Sequence, residues 1–364
     1  MKVFFDHQIF SIQRMGGISR AFVSKAEAMK TQNLADVRFP FPLSVNPFLK
    51  ASPLFRGGRL PFSDTPRGRQ ATYRINRAWE AFHLRRGRFD ILHTTFYRDD
   101  FREALGQKPF VMTVADMTPE LRPDLFKGNP HLDKMALVDK AAGILVYAGE
   151  GRERLLDFRP DLRERVHVVP LAGGFPLAPK PEASLGLPDR YLLFVGNRGG
   201  YKNFQVLASA AEPLLHEDPD LHVLCVGGGP FTASEREGLR ESGLEGRFLQ
   251  RSLDDEGLAR CYRGALAFVF PSFLEGFGLP VLEAYSQGCP LVLAEASCLP
   301  EVAGEAAWYF DPHKADSLTE ALRRVLKDGA ERHRRIDLGF KRLADFSWER
   351  TARETVAVYQ KILP

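Results

Sequence analysis

Two stretches of this sequence combine residue types suited to holding an activated, negatively charged ligand. The first is Gly196-Asn197-Arg198-Gly199-Gly200-Tyr201-Lys202-Asn203, which follows an apolar run and precedes a helical pattern over 204–215. A glycine-rich strand-to-helix turn presents backbone N–H groups at the positive end of the helix dipole. Arg198 and Lys202 add two cations there, which matches a diphosphate. The spacing is neither a Walker A loop nor G-x-G-x-x-G, and the same turn also suits a plain βα connection. The second stretch is Glu275-Gly276-Phe277-Gly278-Leu279-Pro280-Val281-Leu282-Glu283. Pro280 fits the first turn of a helix, where its missing N–H costs nothing, so Glu283 falls about one turn inside that helix and Glu275 in the loop before it. Carboxylates at these places can accept hydrogen bonds from the hydroxyls of a sugar and a ribose while the helix-end amides face a phosphate. The plainer alternative is Glu275 as a helix cap and Glu283 as a solvated side chain.

The elements that must position these residues read as alternating strands and helices. Strand-like runs occur at 3–5, 91–93, 111–114, 144–146 and 166–169, and again at 191–195, 222–226, 267–270 and 291–293. Such βα alternation predicts parallel sheets covered by helices. The Gly- and Pro-rich segment 172–188 separates the two series, so the fold class expected is α/β with two Rossmann-like halves and a ligand at the carboxyl ends of the strands, in a cleft between them. Apolar spacing at Ala352, Val356, Tyr359 and Ile362 predicts a last helix that crosses back to the first half.

The chain has 364 residues, 44% hydrophobic and 26% charged, which excludes a disordered segment or a small disulfide scaffold. None of its four cysteines forms a C-x-x-C pair, so neither a zinc ribbon nor a redox motif is expected. No signal-peptide core and no membrane-length apolar run occurs, and a cytoplasmic protein is expected. The net charge of +4 hides an asymmetry: between Arg14 and Arg88 fifteen Lys/Arg face four acidic residues, an excess of eleven positive charges. Inside this part lies a Pro-rich stretch with Phe39, Phe41, Leu43, Phe48 and Leu49. Exposed aromatics among cations suit an anionic membrane surface; a solvated basic face is the alternative. No nucleic-acid-binding module accompanies the charge, so nucleic acid is not an expected partner.

Taken together, the sequence resembles the retaining GT-B glycosyltransferases of the large family 4. The resemblance runs from Arg14-Met15-Gly16-Gly17-Ile18-Ser19-Arg20 through 196–203 and the Glu275/Glu283 pair to Ser297-Cys298-Leu299-Pro300-Glu301-Val302. It implies an acceptor-side domain over 1–172 with a returning helix at 346–364, and a nucleotide-sugar domain over 173–345. It further implies that Arg198 and Lys202 bind the donor diphosphate, with Gly16 and Gly17 closing that site from the first domain. Glu283 would hold the ribose and Glu275 the donor sugar, the latter with the amides of Gly276, Phe277, Gly278 and Leu279. The implied activity moves a hexose from a nucleotide-diphosphate sugar, GDP-mannose being the nearest donor, to a glycan or lipid-linked acceptor of bacterial surface polysaccharide such as lipopolysaccharide. It would do so at the inner face of the membrane without cofactor or metal.

One position departs from the family. Where relatives end a strand in His-Asp, this chain has Ala115-Asp116, and a methyl group cannot hydrogen-bond a sugar hydroxyl or stabilise developing charge. Ala115 and Asp116 therefore mark, with Glu275, the reacting centre that the family would place here, with turnover weakened. Two other readings remain: a catalytically silent donor-binding protein, and a nucleotide-sugar epimerase, which would require acid/base groups on both faces of the sugar. Asp218-Pro219-Asp220 reads as a turn rather than a metal motif, and His93 as a structural strand-end residue.

Overall fold

A computed structural model describes residues 1–128, 131, 133–176 and 186–363. The chain divides into two compact units, one made of Met1–Ala172 and Ser347–Pro364, the other of Gly173–Phe346. The middle of the Gly/Pro-rich segment, 177–185, lies outside the described residues.

The first unit is built on strands β1 Lys2–Phe5, β2 Asp36–Arg38, β3 Ile91–Thr94, β4 Phe110–Thr113, β5 Gly143–Val146 and β6 Val166–Val168, in the order β2-β1-β3-β4-β5-β6. All neighbours are parallel. The central strands β3, β4 and β5 are buried at every residue, because helices cover both faces and leave no polar side to alternate with. Val3, Phe5, Ile91, Val111 and Leu145 pack on one face, and Phe4, Leu92, Phe110, Met112 and Ile144 on the other. The helix Trp348–Ile362 belongs to this unit. Ser347 caps it by accepting from the Arg350 N–H at 3.1 Å, and Ala352, Val356 and Tyr359 form its buried stripe. It approaches β5 where Gly143 has no side chain: a Cβ there would lie 2.6 Å from Ile362 Cδ1.

The second unit carries β7 Arg190–Val195, β8 Leu221–Val226, β9 Phe248–Arg251, β10 Ala267–Phe270, β11 Leu291–Ala294 and β12 Ala307–Phe310, ordered β12-β11-β10-β7-β8-β9. This sheet too is parallel throughout. Both sheets are thus α/β and Rossmann-like, each with one point where the strand order reverses: between β1 and β3 in the first, between β7 and β10 in the second. Loops that leave neighbouring strands at such a point diverge to opposite faces and open a crevice at the carboxyl ends.

Three strands, β2, β9 and β12, escape the sequence reading, and all three are sheet edges. Edge strands need no continuous apolar run; β2 and β9 each bury a single residue, Val37 and Phe248. The apolar Ala307-Trp308-Tyr309-Phe310 was a legible signal for β12. The Pro-rich stretch also corrects an expectation. Phe39, Phe41, Leu49 and Phe55 are 9%, 4%, 0% and 7% exposed and join the core beside Phe5 and Phe10, so they do not offer apolar side chains to a membrane. Among the described residues, no helix is long and apolar enough to cross one.

Candidate functional site

The two motifs of the second unit leave β7 and β10, the neighbours at its reversal point. The loop after β7 needs left-handed backbone at Gly196 (φ 120°), Gly200 (φ 57°) and Asn203 (φ 54°), positions where a Cβ is costly and glycine or asparagine is preferred. Asn203 is further held by donating from Nδ2 to Pro312 O at 2.8 Å, and the helix Phe204–Glu217 follows directly. The loop after β10 crosses to it through the Phe273 N–H, which donates to Tyr201 O at 2.9 Å. Gly278, at φ 86°, then starts the helix Leu279–Ser286 with Pro280 in its first turn. The first-turn N–H groups of such a helix have no intrahelical acceptors and face outward at its positive end.

Lys202 and Glu275 meet here. Lys202 Nζ lies 2.6 Å from Glu275 Oε1, and the two side chains are 17% and 12% exposed. The ammonium also lies 5.1 and 5.2 Å from the ring centroids of Tyr201 and Phe270. The backbone of Glu275 is latched to Ser297: its N–H donates to Ser297 Oγ at 3.2 Å, and Ser297 Oγ–H donates back to Glu275 O at 2.9 Å. The Ser297–Val302 motif thereby acquires a task the sequence did not disclose, which is to fix the loop bearing Glu275. Glu283 is half-buried on the Leu279–Ser286 helix and accepts from Tyr262 O–H at 3.2 Å. Burial, with Glu283 beside it, pushes the Tyr262 phenol well above its usual range, so Tyr262 stays a donor. Tyr262 comes from a helix 21 residues earlier, and no spacing rule points to it.

Arg198 requires a correction. Its side chain is 4% exposed and bonds Glu235 at 2.8 Å through Nε. It also donates to the carbonyls of Gly229 at 3.1 Å and Pro230 at 2.9 Å, and stacks over Phe231. A guanidinium engaged in this way ties the β7 loop to the Gly227–Gly229 turn after β8, whereas Lys202, four residues on, is paired with Glu275. Its partner Glu235 also belongs to a capping box with Thr232, a pattern readable in Thr232-Ala233-Ser234-Glu235. Asp218 accepts from Arg190 at 2.9 Å and from the Asp220 N–H at 3.0 Å, so Asp218-Pro219-Asp220 is a turn.

The remaining sequence candidates lie in the first unit. Gly16 precedes the helix Gly17–Thr31 in extended backbone (φ 167°), and the Gln13 side chain accepts from the Ser19 N–H at 3.3 Å beside it. Ala115 follows β4, 7% exposed, with its N–H donating to Tyr97 Oη at 2.8 Å. The Asp116 carboxylate accepts from the Thr118 N–H at 3.0 Å, and its carbonyl accepts from the buried Lys134 at 2.8 Å. Asp116 is thus engaged in shaping a turn. His93 is fully buried between Tyr359 and Thr113, and burial and Lys25 hold its imidazole neutral, as a structural histidine requires. Among the described residues, no group of three or more His, Cys, Asp or Glu converges as a metal site.

Residues 180–342 match the family described as Glycosyl transferases group 1. The O-antigen chain mannosyltransferase B of Escherichia coli is 33% identical over 176 residues, covering 47% of this chain and 45% of that protein. The chain spans less than half the length of the first curated relatives it matches. Among solved structures, sucrose-phosphate synthase from Thermosynechococcus elongatus superposes with a TM-score of 0.74 at 21% identity, covering 99% of this chain and 98% of that one. The Anabaena protein HepE in complex with UDP does so with a TM-score of 0.74 at 15% identity, covering 99% and 100%.

Proposed function

We propose that this chain, whose residues 180–342 match the family described as Glycosyl transferases group 1 and whose two Rossmann-like units have the GT-B fold, is a glycosyltransferase of that group and transfers a hexose from a nucleotide-diphosphate sugar. The acceptor would be a glycan or lipid-linked saccharide of a bacterial surface polysaccharide, and the anomeric configuration would be retained. The observation that carries this reading is the Lys202–Glu275 pair, a cation and a carboxylate 2.6 Å apart where the β7 and β10 loops meet. Lys202 and the amides of Gly276 to Leu279 meet the diphosphate, Glu275 the sugar hydroxyls, and Glu283 the ribose. As the bond from the anomeric carbon to the diphosphate oxygen breaks, the new negative charge falls on fixed positive groups that need no rearrangement. The acceptor oxygen bonds to that carbon on the departing face, and its proton passes to the leaving phosphate. The mannose-directed relative supports a mannose-type donor such as GDP-mannose.

Ala115 favours a second reading, a donor-binding protein with little or no turnover. Incubation with GDP-, UDP- and dTDP-sugars, following nucleotide release with and without Ala115→His, separates the two. Release by the unaltered chain supports the transferase, and release only by Ala115→His supports the silent form. Absence of donor binding in both rejects the donor site itself.

A further inference from the structure

The helix Pro66–Arg85 has its amphipathicity reversed. The side it turns inward is Gly68, Thr72, Asn76, Glu80 and Leu84, mostly polar. On its outer side Ile75, Trp79 and Phe82, at i, i+4, i+7 spacing, are 43%, 51% and 49% exposed. The helix cannot roll to bury them. Asn76 Nδ2 donates to Ser11 Oγ and to Leu43 O, both at 2.8 Å, and Glu80 Oε2 accepts from the His7 N–H at 2.8 Å. Rotation would strand these buried groups without partners. Single exposed apolar residues are ordinary, but a contiguous stripe of three large ones marks an interaction surface.

What covers the stripe is indicated by charge. Arg67, Arg74 and Arg85 run beside it, all exposed. At its end opens a cavity of about 420 Å³ lined by Lys2, Arg38, Trp79, His83, Arg86 and Arg88. Two acids stand near these cations: Asp36, paired with Arg38 at 3.2 Å, and Asp90, which accepts from the Lys2 N–H at 2.6 Å. The cations outnumber them. An apolar stripe bordered by arginines and ending in a cationic cavity matches a surface with apolar depth beneath anionic heads.

We propose that this face docks on an anionic phospholipid bilayer. Ile75, Trp79 and Phe82 enter the boundary between head groups and acyl chains, while Arg86 and Arg88 take a lipid phosphate into the cavity. The membrane contact thus falls on the outer side of one helix, not on the Pro-rich stretch that the sequence suggests, and it stands independently of the donor site.

The test uses the full chain with vesicles of phosphatidylcholine alone or mixed with phosphatidylglycerol, read by co-sedimentation and by quenching of Trp79 fluorescence with brominated lipid. Binding to the anionic vesicles, weakened by salt, is expected. Each cation removed should cost roughly fivefold in partitioning, so Arg86→Gln with Arg88→Gln weakens it more than tenfold, and Trp79→Ser with Phe82→Ser weakens co-sedimentation with the anionic vesicles by at least as much. Circular dichroism confirms that these surface variants remain folded. Failure of the unaltered chain to bind anionic vesicles, equal binding to both vesicle types, or binding unchanged in both double variants would overturn the proposal. So would a lipid-free dimer that dissociates on Trp79→Ser with Phe82→Ser, which would assign the stripe to a second copy of the chain.

Discussion

Replacing Lys202 with alanine tests the donor site directly. Lys202 and Glu275 are 2.6 Å apart and 17% and 12% exposed, so solvent screens them little. Their gross attraction is about 6 kcal/mol at an effective dielectric of 20, much of it offset by desolvation. A bound diphosphate competes for the same ammonium. In Lys202→Ala the ligand loses that charge-assisted bond and meets an uncompensated Glu275 carboxylate. Truncating one member of such a group costs about 2–4 kcal/mol of binding, or about 30- to 1000-fold in Kd. Isothermal titration with GDP and UDP reads this loss, and denaturant unfolding of the same variant checks that the unit is intact. Glu275→Gln and the double variant complete a cycle in which the two losses are expected to be non-additive, because both residues face one ligand. A folded Lys202→Ala variant whose nucleotide affinity stays within about threefold of the original, well under 1 kcal/mol, would refute the assignment of the site.

Three further outcomes follow from the geometry. Arg198→Ala should destabilise the second unit by about 2–4 kcal/mol, because Glu235 and the Gly229 and Pro230 carbonyls lose a buried partner; urea unfolding checks this, and a stability loss near zero would contradict the positioning role. Gly278→Ala places a Cβ 3.0 Å from Leu299 Cδ2 at φ 86°, which should cost about 1–2 kcal/mol and weaken donor binding as the Glu275 loop shifts; thermal unfolding with donor titration reads both effects. Burial lowers the Lys25 ammonium from 10.5 to about 7. Between those values the unfolded chain binds more protons than the folded one, so stability from this group is present above pH 10.5 and is lost as pH falls through 7. Lys25→Met should therefore stabilise the first unit on the order of 2–4 kcal/mol at pH 7, with the gain vanishing toward pH 10.5 in unfolding curves; a pH-independent gain would show that Lys25 is not the titrating group.

What the sequence determined by itself was local. Continuous apolar runs identify the central strands because a parallel strand covered on both faces has no polar side, and the glycines at 196, 200 and 278 identify turns that only a permissive backbone can make. The residue types at Lys202, Glu275 and Glu283 are likewise legible, since their chemistry belongs to the side chain. Partnership was decided by tertiary structure. Strand order brings the β7 and β10 loops together and so pairs Lys202 with a carboxylate 73 residues away, while Arg198, of equal charge and four positions earlier, is drawn to Glu235. The same holds in the first unit. Phe39 and Phe41 read as a membrane-facing pair and are core, whereas the outward turn of Trp79 and Phe82 is dictated by the buried hydrogen bonds of Asn76 and Glu80. A side chain's charge or apolarity is written in its identity, but which atoms compete for it depends on distances that only the folded chain sets.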